Sequence, residues 1–306
     1  MKPELTIVVC TRNRAFILEE CLDSLFQQSA PMSQFQVLVV DNSSTDGTAD
    51  LLRDYQKHYP SFRYVKCGKV GLSHARNLGG QESATPWVGY VDDDARAPHD
   101  FVERALQIIQ TEPFDCFGGT YYAWYRYGRP AWLPEEFGSK PIIRTERGSL
   151  PTGEYLSGGL FFCQYPWLKL LNGFHPELGM RERLGYGEED EFQDRLIEKG
   201  AKIGYDPNLF IEHAVLPHKL SVKWHLKHHF AIGRSSYLRL KNKNLSYLSV
   251  MLLRVSLASL FWKLPRGVYY IISNRNYSIP NLILDIAKFP LVWSGRCFSS
   301  FLANKI

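Results

Sequence analysis

An apolar run at residues 87–92 ends in Asp92-Asp93-Asp94. On an extended segment alternate residues face the same way, so Asp92 and Asp94 can converge on one target. Carboxylates that close repel each other unless a cation or a donor group lies between them. A hard divalent ion, Mg²⁺ or Mn²⁺, suits the pair, since it binds through one or two carboxylates plus substrate phosphate oxygens. The bland alternative is an acidic turn capping a helix that starts near His99. His213, after a strand-like run at 209–212, becomes a third ligand if it meets Asp94 and is a core histidine if it does not.

Two other strand-like runs end in polar segments, Thr11-Arg12-Asn13-Arg14 and Asp41-Asn42-Ser43-Ser44-Thr45-Asp46-Gly47. Asp41 at a strand's end can accept a hydrogen bond from a nucleobase N–H, and a mismatched base would leave that acceptor unpaired. The same segment also reads as a turn that caps the next helix. Arg76, on the first turns of a helix that follows Gly71, can reach a diphosphate or make an ordinary surface salt bridge. Glu188, Glu189, Asp190 and Glu191 follow Gly185-Tyr186-Gly187. Acids in a first helical turn complement the helix dipole. One carboxylate held at a glycine-rich loop end beside a cation site would also serve as a general base.

The elements that must position these residues alternate. Strands are expected at 5–10, 36–41, 62–67 and 87–92, with helices at 15–28, 46–59 and 73–82 between them. Connections too long for hairpins make this a mostly parallel sheet flanked by helices, with ligands beyond the carboxyl ends of the strands. Further strands are expected at 116–122, 159–163 and 202–205, with a helix at 189–199. Residues 1–115 and 116–217 read as two halves of one α/β domain. Residues 218–306 form a helical extension.

Six scattered cysteines without a CxxC pair suit reduced thiols in a cytoplasmic protein, and residues 1–10 lack signal-peptide anatomy. The net charge of +5 hides an asymmetry: residues 218–306 carry fourteen Lys and Arg and one acid, net +13, leaving −8 for the rest. Residues 245–264 are nearly all apolar, and twenty helical residues would span ~30 Å. Arg254 at their centre costs roughly 2.5–3.5 kcal/mol on insertion. The favoured reading is therefore a stretch lying on an anionic membrane surface, ahead of a helical cap or a true span. The acidic body argues against a nucleic-acid partner.

Taken in order, VVCTRNR, VVDNSSTDGT, GLSHARNLG, YVDDDA, SGGLFF and GEEDEFQDRL resemble the family 2 inverting glycosyltransferases of GT-A fold, over residues 5–217. The resemblance implies transfer of a single sugar from a nucleoside-diphosphate sugar, uridine by default and guanosine second. The acceptor is a hydroxyl of a glycan or lipid-linked saccharide, in polysaccharide or glycolipid synthesis at the inner face of the membrane. It implies donor binding by Thr11, Arg14, Asp41, Arg76, Asp92 (toward the ribose) and Asp93, and a metal on Asp94 and His213. It further implies Asp190 as base, with Gly158, Gly159 and Glu189 on the acceptor side. The processive QxxRW signature is missing, which argues against a polymerising synthase. A sugar nucleotidyltransferase is the runner-up, although a Gly-rich phosphate loop with a Lys is missing near the first strand. An inactive GT-A-like binding domain is the remaining alternative.

Overall fold

A computed structural model of the chain describes residues 2–181, 185–237, 240, 243–274 and 276–303. Strands β1 (Leu5–Thr11), β2 (Phe35–Asp41), β3 (Phe62–Lys66) and β4 (Trp87–Asp92) lie parallel in the order β3-β2-β1-β4. Helices α1 (Ala15–Phe26), α2 (Thr48–His58) and α3 (Leu72–Glu82) connect them. β1 is apolar at nearly every position because both its faces are covered. Leu5, Ile7 and Val9 pack with Leu18, Leu22 and Leu25 of α1, while Val8 points the other way and packs with Ala75 of α3. Unbroken rather than alternating hydrophobicity is what such a buried parallel strand requires.

The second half adds β5 (Ala95–Arg96), α4 (Phe101–Thr111), β6 (Cys116–Trp124), β7 (Gly148–Ser149), β8 (Leu160–Gln164), α5 (Tyr165–Leu170), α6 (Glu188–Glu198) and β9 (Ile203–Ala214). The sheet continues from β4 as β8-β6-β9-β5, with β7 paired to β9. β8 runs antiparallel to both β4 and β6, whereas β6 and β9 are parallel. The sheet is thus parallel through its first half and mixed beyond. The expected strands at 202–205 and 209–212 are one strand, β9, along which the pairing register slips opposite Gly119 and Thr120.

Register fixes the business edge. Thr11 lies opposite Asp41, and Cys10 opposite Asp92, so the polar ends of β2, β1 and β4 emerge side by side. α3 approaches the sheet closely here. A Cβ on Gly79 would fall 2.3 Å from Val8 Cγ1.

The chain divides into two compact units. One, made of Met1–Trp124, Gly138–Glu177 and Glu188–Ala214, holds the whole sheet. The other, made of Tyr125–Phe137, Leu178–Gly187 and Val215–Ile306, contains the helical extension. Its helices are α7 (Val222–Ser236), α8 (Leu245–Ala258), a π-helical turn at Ser259–Lys263, α9 (Leu264–Ser273) and α10 (Ile279–Ala303). α7 and α10 pack at glycines: a Cβ on Gly233 would lie 2.0 Å from the Val292 carbonyl oxygen. α8, the π turn and α9 leave Leu253, Leu257, Leu260, Phe261, Trp262, Tyr269 and Ile272 exposed.

Gly79→Ala should destabilise the protein by about 1–3 kcal/mol, since helix and strand must part to admit the methyl group. Gly68→Ala, with nothing within 4 Å of its Cβ, should stay within about 0.5 kcal/mol. Urea unfolding midpoints measure both, and equal effects would contradict the close packing of α3 on β1.

Candidate active site

Asp92 closes β4, and the chain turns through Asp93 and Asp94 into β5, which pairs with the end of β9. The acidic triplet does not cap α4, which begins only at Phe101, after Asp100. The turn instead brings Asp94 to His213: Asp94 Oδ1 lies 3.0 Å from His213 Nε2. Asp92, Asp94 and His213 each offer a ligand atom, all within 4.8 Å of one another. Asp94 is 2 % exposed, and the buried Nδ1 of His213 has no hydrogen-bond partner among the described residues. A satisfied core histidine would have one. Two carboxylates and an imidazole at this spacing fit a divalent ion of the Mn²⁺ or Mg²⁺ kind.

Arg14, just before α1, faces the same acids. Its Nη1 donates to Asp93 Oδ1 at 2.7 Å and Asp94 Oδ2 at 3.0 Å. Burial pushes the Asp93 carboxyl up to about 6, against the pull of Arg14, and Asp94 beside it adds to the rise. Asp92 is held from the opposite side: the Tyr121 hydroxyl on β6 donates to its Oδ2.

Arg76 is no surface salt bridge. It is 4 % exposed, with Nη1 2.7 Å from Glu188 Oε1 and Nη2 3.7 Å from Asp92 Oδ1. The Phe174 ring lies beside its guanidinium, 5.4 Å from Cζ to centroid. Gly158 and Gly159 make room for this arrangement. A Cβ at Gly158 would meet Arg76 Nη1 at 2.8 Å, and one at Gly159 would meet Asp92 Oδ2 at 2.1 Å.

α6 opens with the acidic run. Gly187 just before it has φ +88°, the left-handed backbone that its glycine permits. Glu191 pairs with Arg195 one turn further along the helix, Nε and Nη2 of the arginine donating to its two oxygens at 2.8 Å each, which is an ordinary helical pair. Glu188 is buried and turns to Arg76. Burial first, then the neighbouring Glu189 charge, pushes its carboxyl up to about 8 against the pull of Arg76. Glu189 and Asp190, half-buried, share that first turn.

Thr11 and Asp41 are buried at adjacent strand ends. Asp41 Oδ1 accepts from the Ser44 backbone N–H at 2.9 Å. The turn reading of this segment holds alongside: Asp46 accepts from the backbone N–H groups of Ala15 and Thr48, serving the starts of α1 and α2. Asn42 ties the same edge to the loop before α3, donating to the Lys69 carbonyl and accepting from the Gly71 N–H, both at 2.7 Å.

The structure therefore gathers Arg14, Asp92, Asp93, Asp94 and His213 into one cluster, and Arg76 with Gly158 and Gly159 beside Asp92. Sequence reasoning missed Glu188 and Tyr121 as partners of Arg76 and Asp92. Nothing in the sequence singles out Tyr121, because Cys116–Tyr121 of β6 are buried without alternation.

A family model, glycosyl transferase family 2, matches residues 6–167. The glycosyltransferase AglE of Haloferax volcanii is 28% identical over 130 residues, 42% of this chain and 43% of that protein. The succinoglycan biosynthesis protein ExoM of Rhizobium meliloti is 25% identical over 237 residues, covering 76% of this chain and 73% of ExoM. Among solved structures, the mannosyltransferase PcManGT from Pyrobaculum calidifontis, in complex with GDP-Man and Mn²⁺, superposes with a TM-score of 0.64 at 16% identity, over 97% of this chain and 88% of that one. S. aureus TarS 1-349 in complex with UDP-GlcNAc gives 0.60 at 14% identity, over 95% and 91%. At such identities the structures establish the fold. A mixed α/β sheet with its polar strand ends and carboxylates on one edge is the architecture of a GT-A enzyme. The chain belongs to glycosyl transferase family 2, and the nucleotidyltransferase alternative falls with that membership.

Proposed function

We propose that this protein transfers a single sugar from a nucleoside-diphosphate sugar, uridine by default and guanosine second, to a hydroxyl of a saccharide or lipid-linked acceptor, with inversion at the anomeric carbon. The observation that carries the reading is the Asp92, Asp94 and His213 cluster at the end of β4, beside the buried Arg76. PcManGT and TarS, which bind GDP-Man and UDP-GlcNAc, lend it support.

Thr11 and Asp41 would take the base, Asp92 the ribose, and Arg14 and Asp93 the rest of the donor pocket. Asp94 and His213 would hold a Mn²⁺ or Mg²⁺ ion, which supplies Lewis acidity toward the diphosphate. Arg76 would pair with the diphosphate and offset the charge it gains on leaving. Asp190 would accept the proton of the acceptor hydroxyl as its oxygen bonds to the anomeric carbon and the bond to the diphosphate breaks. Attack opposite the leaving group inverts that centre. Gly158, Gly159 and Glu189 would line the acceptor side.

Incubation with a panel of nucleotide sugars should release nucleoside diphosphate from one donor with Mn²⁺ or Mg²⁺ and not with EDTA, and Asp94→Ala should lose that release. Asp190→Asn should bind the nucleotide within a few-fold of wild type while transfer falls about 10²–10⁴-fold. Loss of donor binding in Asp190→Asn would instead move Asp190 to the donor pocket. No binding of any nucleotide would leave an inactive binding domain.

The helical unit would seat the enzyme on the cytoplasmic face of an anionic membrane. Leu245–Ser273 are long and apolar enough to cross one, yet carry Arg254, Lys263 and Arg266. Trp262 and Ile272, 79 % and 83 % exposed, suit shallow insertion beneath headgroups that attract the surrounding cations. Sedimentation with vesicles should show binding to phosphatidylserine-containing membranes, weakened by salt and by Trp262→Ser. Equal binding to neutral vesicles, or none, would contradict the docking.

A further inference from the structure

Arg76 is the more deeply buried of the two donor-side arginines, and its charge is already taken up inside the protein. Its guanidinium is buried between Glu188, at 2.7 Å, and Asp92, at 3.7 Å, with Phe174 beside it and Gly158 leaving no side chain in the way. Glu188 is 4 % exposed, and Arg76 Nη1 is its cationic partner. Glu189, on the same helical turn, interacts with the Glu188 carboxyl and adds a like charge beside it. A diphosphate that pairs with Arg76 must therefore displace or share a buried carboxylate, and that carboxylate cannot stay charged without a partner.

We propose that Glu188 is the resident partner of Arg76 and that, wherever it is ionised in the free protein, nucleotide binding exchanges one buried anionic partner of Arg76 for another and Glu188 takes a proton from solvent. The inference rests on the reading of Arg76 as a diphosphate contact. The exchange balances: the Arg76–Glu188 pair opens, an Arg76–diphosphate pair closes, and one proton passes from buffer to the Glu188 carboxylate. Glu188 acts through Arg76 and is a positioning residue. It holds the guanidinium at the end of β4 before donor arrives and keeps a permanent carboxylate from opposing the diphosphate afterwards.

The charged groups facing Glu188 are Arg76 from α3, Glu189 on α6 and, beyond the guanidinium, Asp92 on β4. Burial and Glu189 already raise the Glu188 carboxyl to about 8 with Arg76 alongside. Withdrawal of Arg76 removes the group that lowers it, so its value in the nucleotide complex lies higher still. Glu188 is protonated in both states well below pH 8. Above pH 8 the free protein has lost that proton and the complex has not, so binding takes one up and weakens as pH rises. The diphosphate is no source of the effect, because phosphate groups of this kind ionise near pH 6, and any uptake that comes from the nucleobase N–H survives Glu188→Gln.

The test is calorimetric titration of the full chain with UDP, and separately GDP, in Mg²⁺, between pH 7 and 9.5, in buffers of different ionisation enthalpy. The wild type should take up a proton on binding above pH 8, and its dissociation constant should rise toward tenfold per pH unit there. Glu188→Gln should bind without the uptake that Glu188 supplies and with little pH dependence between pH 8 and 9, while Glu189→Gln, which removes a charge that raises Glu188, should keep the uptake but begin it at lower pH. A role for Glu188 in folding alone would weaken binding equally at every pH and leave the slope in place. Wild-type binding without uptake, or a slope that survives Glu188→Gln, overturns the inference and leaves the donor reading standing. Failure of the wild type to bind either nucleotide overturns both. If Glu188→Gln does not fold, Glu188→Asp takes its place and should shift the pH at which uptake begins, and wild-type binding without uptake still overturns the inference.

Discussion

Five carboxylates, Asp92, Asp93, Asp94, Glu188 and Glu189, are set against two guanidiniums, Arg14 and Arg76, at one edge of the sheet. Like charges about 4 Å apart repel by about 4 kcal/mol at the effective dielectric of a protein surface. The edge therefore carries an excess of negative charge that folding alone leaves unbalanced. The protein answers locally by raising the Asp93 and Glu188 carboxyls toward their neutral forms and by tying Arg14 and Arg76 inward. What remains is a site that favours a cation.

The rest of the sheet-bearing unit is explained by the need to hold that edge still. β1, β2 and β4 are apolar on both faces, so their register cannot slip without burying polar ends or exposing apolar ones. The packing of α3 at Gly79 fixes the helix that carries Arg76. β9, paired with β6 on one side and β5 on the other, delivers His213 to the acids that β4 delivers from within the sheet. Gly158 and Gly159, on the approach to β8, are small because Arg76 and Asp92 occupy the volume a side chain would need.

Much of this was legible in the sequence. Apolar runs of strand length separated by helical periodicity located β1 to β4 to within a residue or so, because burial on both faces leaves little else such runs can be. The convergence of Asp92 and Asp94 was legible too, since strand ends and a two-residue spacing are local properties, whereas His213 joins them only through the pairing of β5 with β9. What was not legible depends on pairing. The antiparallel return of β8, the merging of two runs into β9 and the two-residue strand β5 are set by long-range partners. Glu188 looked like one of four acids serving a helix dipole. Only the fold shows that it is buried and reaches Arg76, 112 positions earlier. Tyr121 was one more residue of an apolar strand until β6 was placed beside Asp92.

The central claim is that the charge excess at the end of β4 is completed by a divalent ion on Asp94 and His213. Anomalous diffraction from crystals grown with Mn²⁺ and a nucleoside diphosphate, recorded on both sides of the manganese edge, tests it most directly. The account predicts one strong peak bounded by Asp94 and His213 and touching diphosphate oxygens. A nucleotide bound in the crevice with no manganese at that point, or with manganese held by other residues, would contradict it.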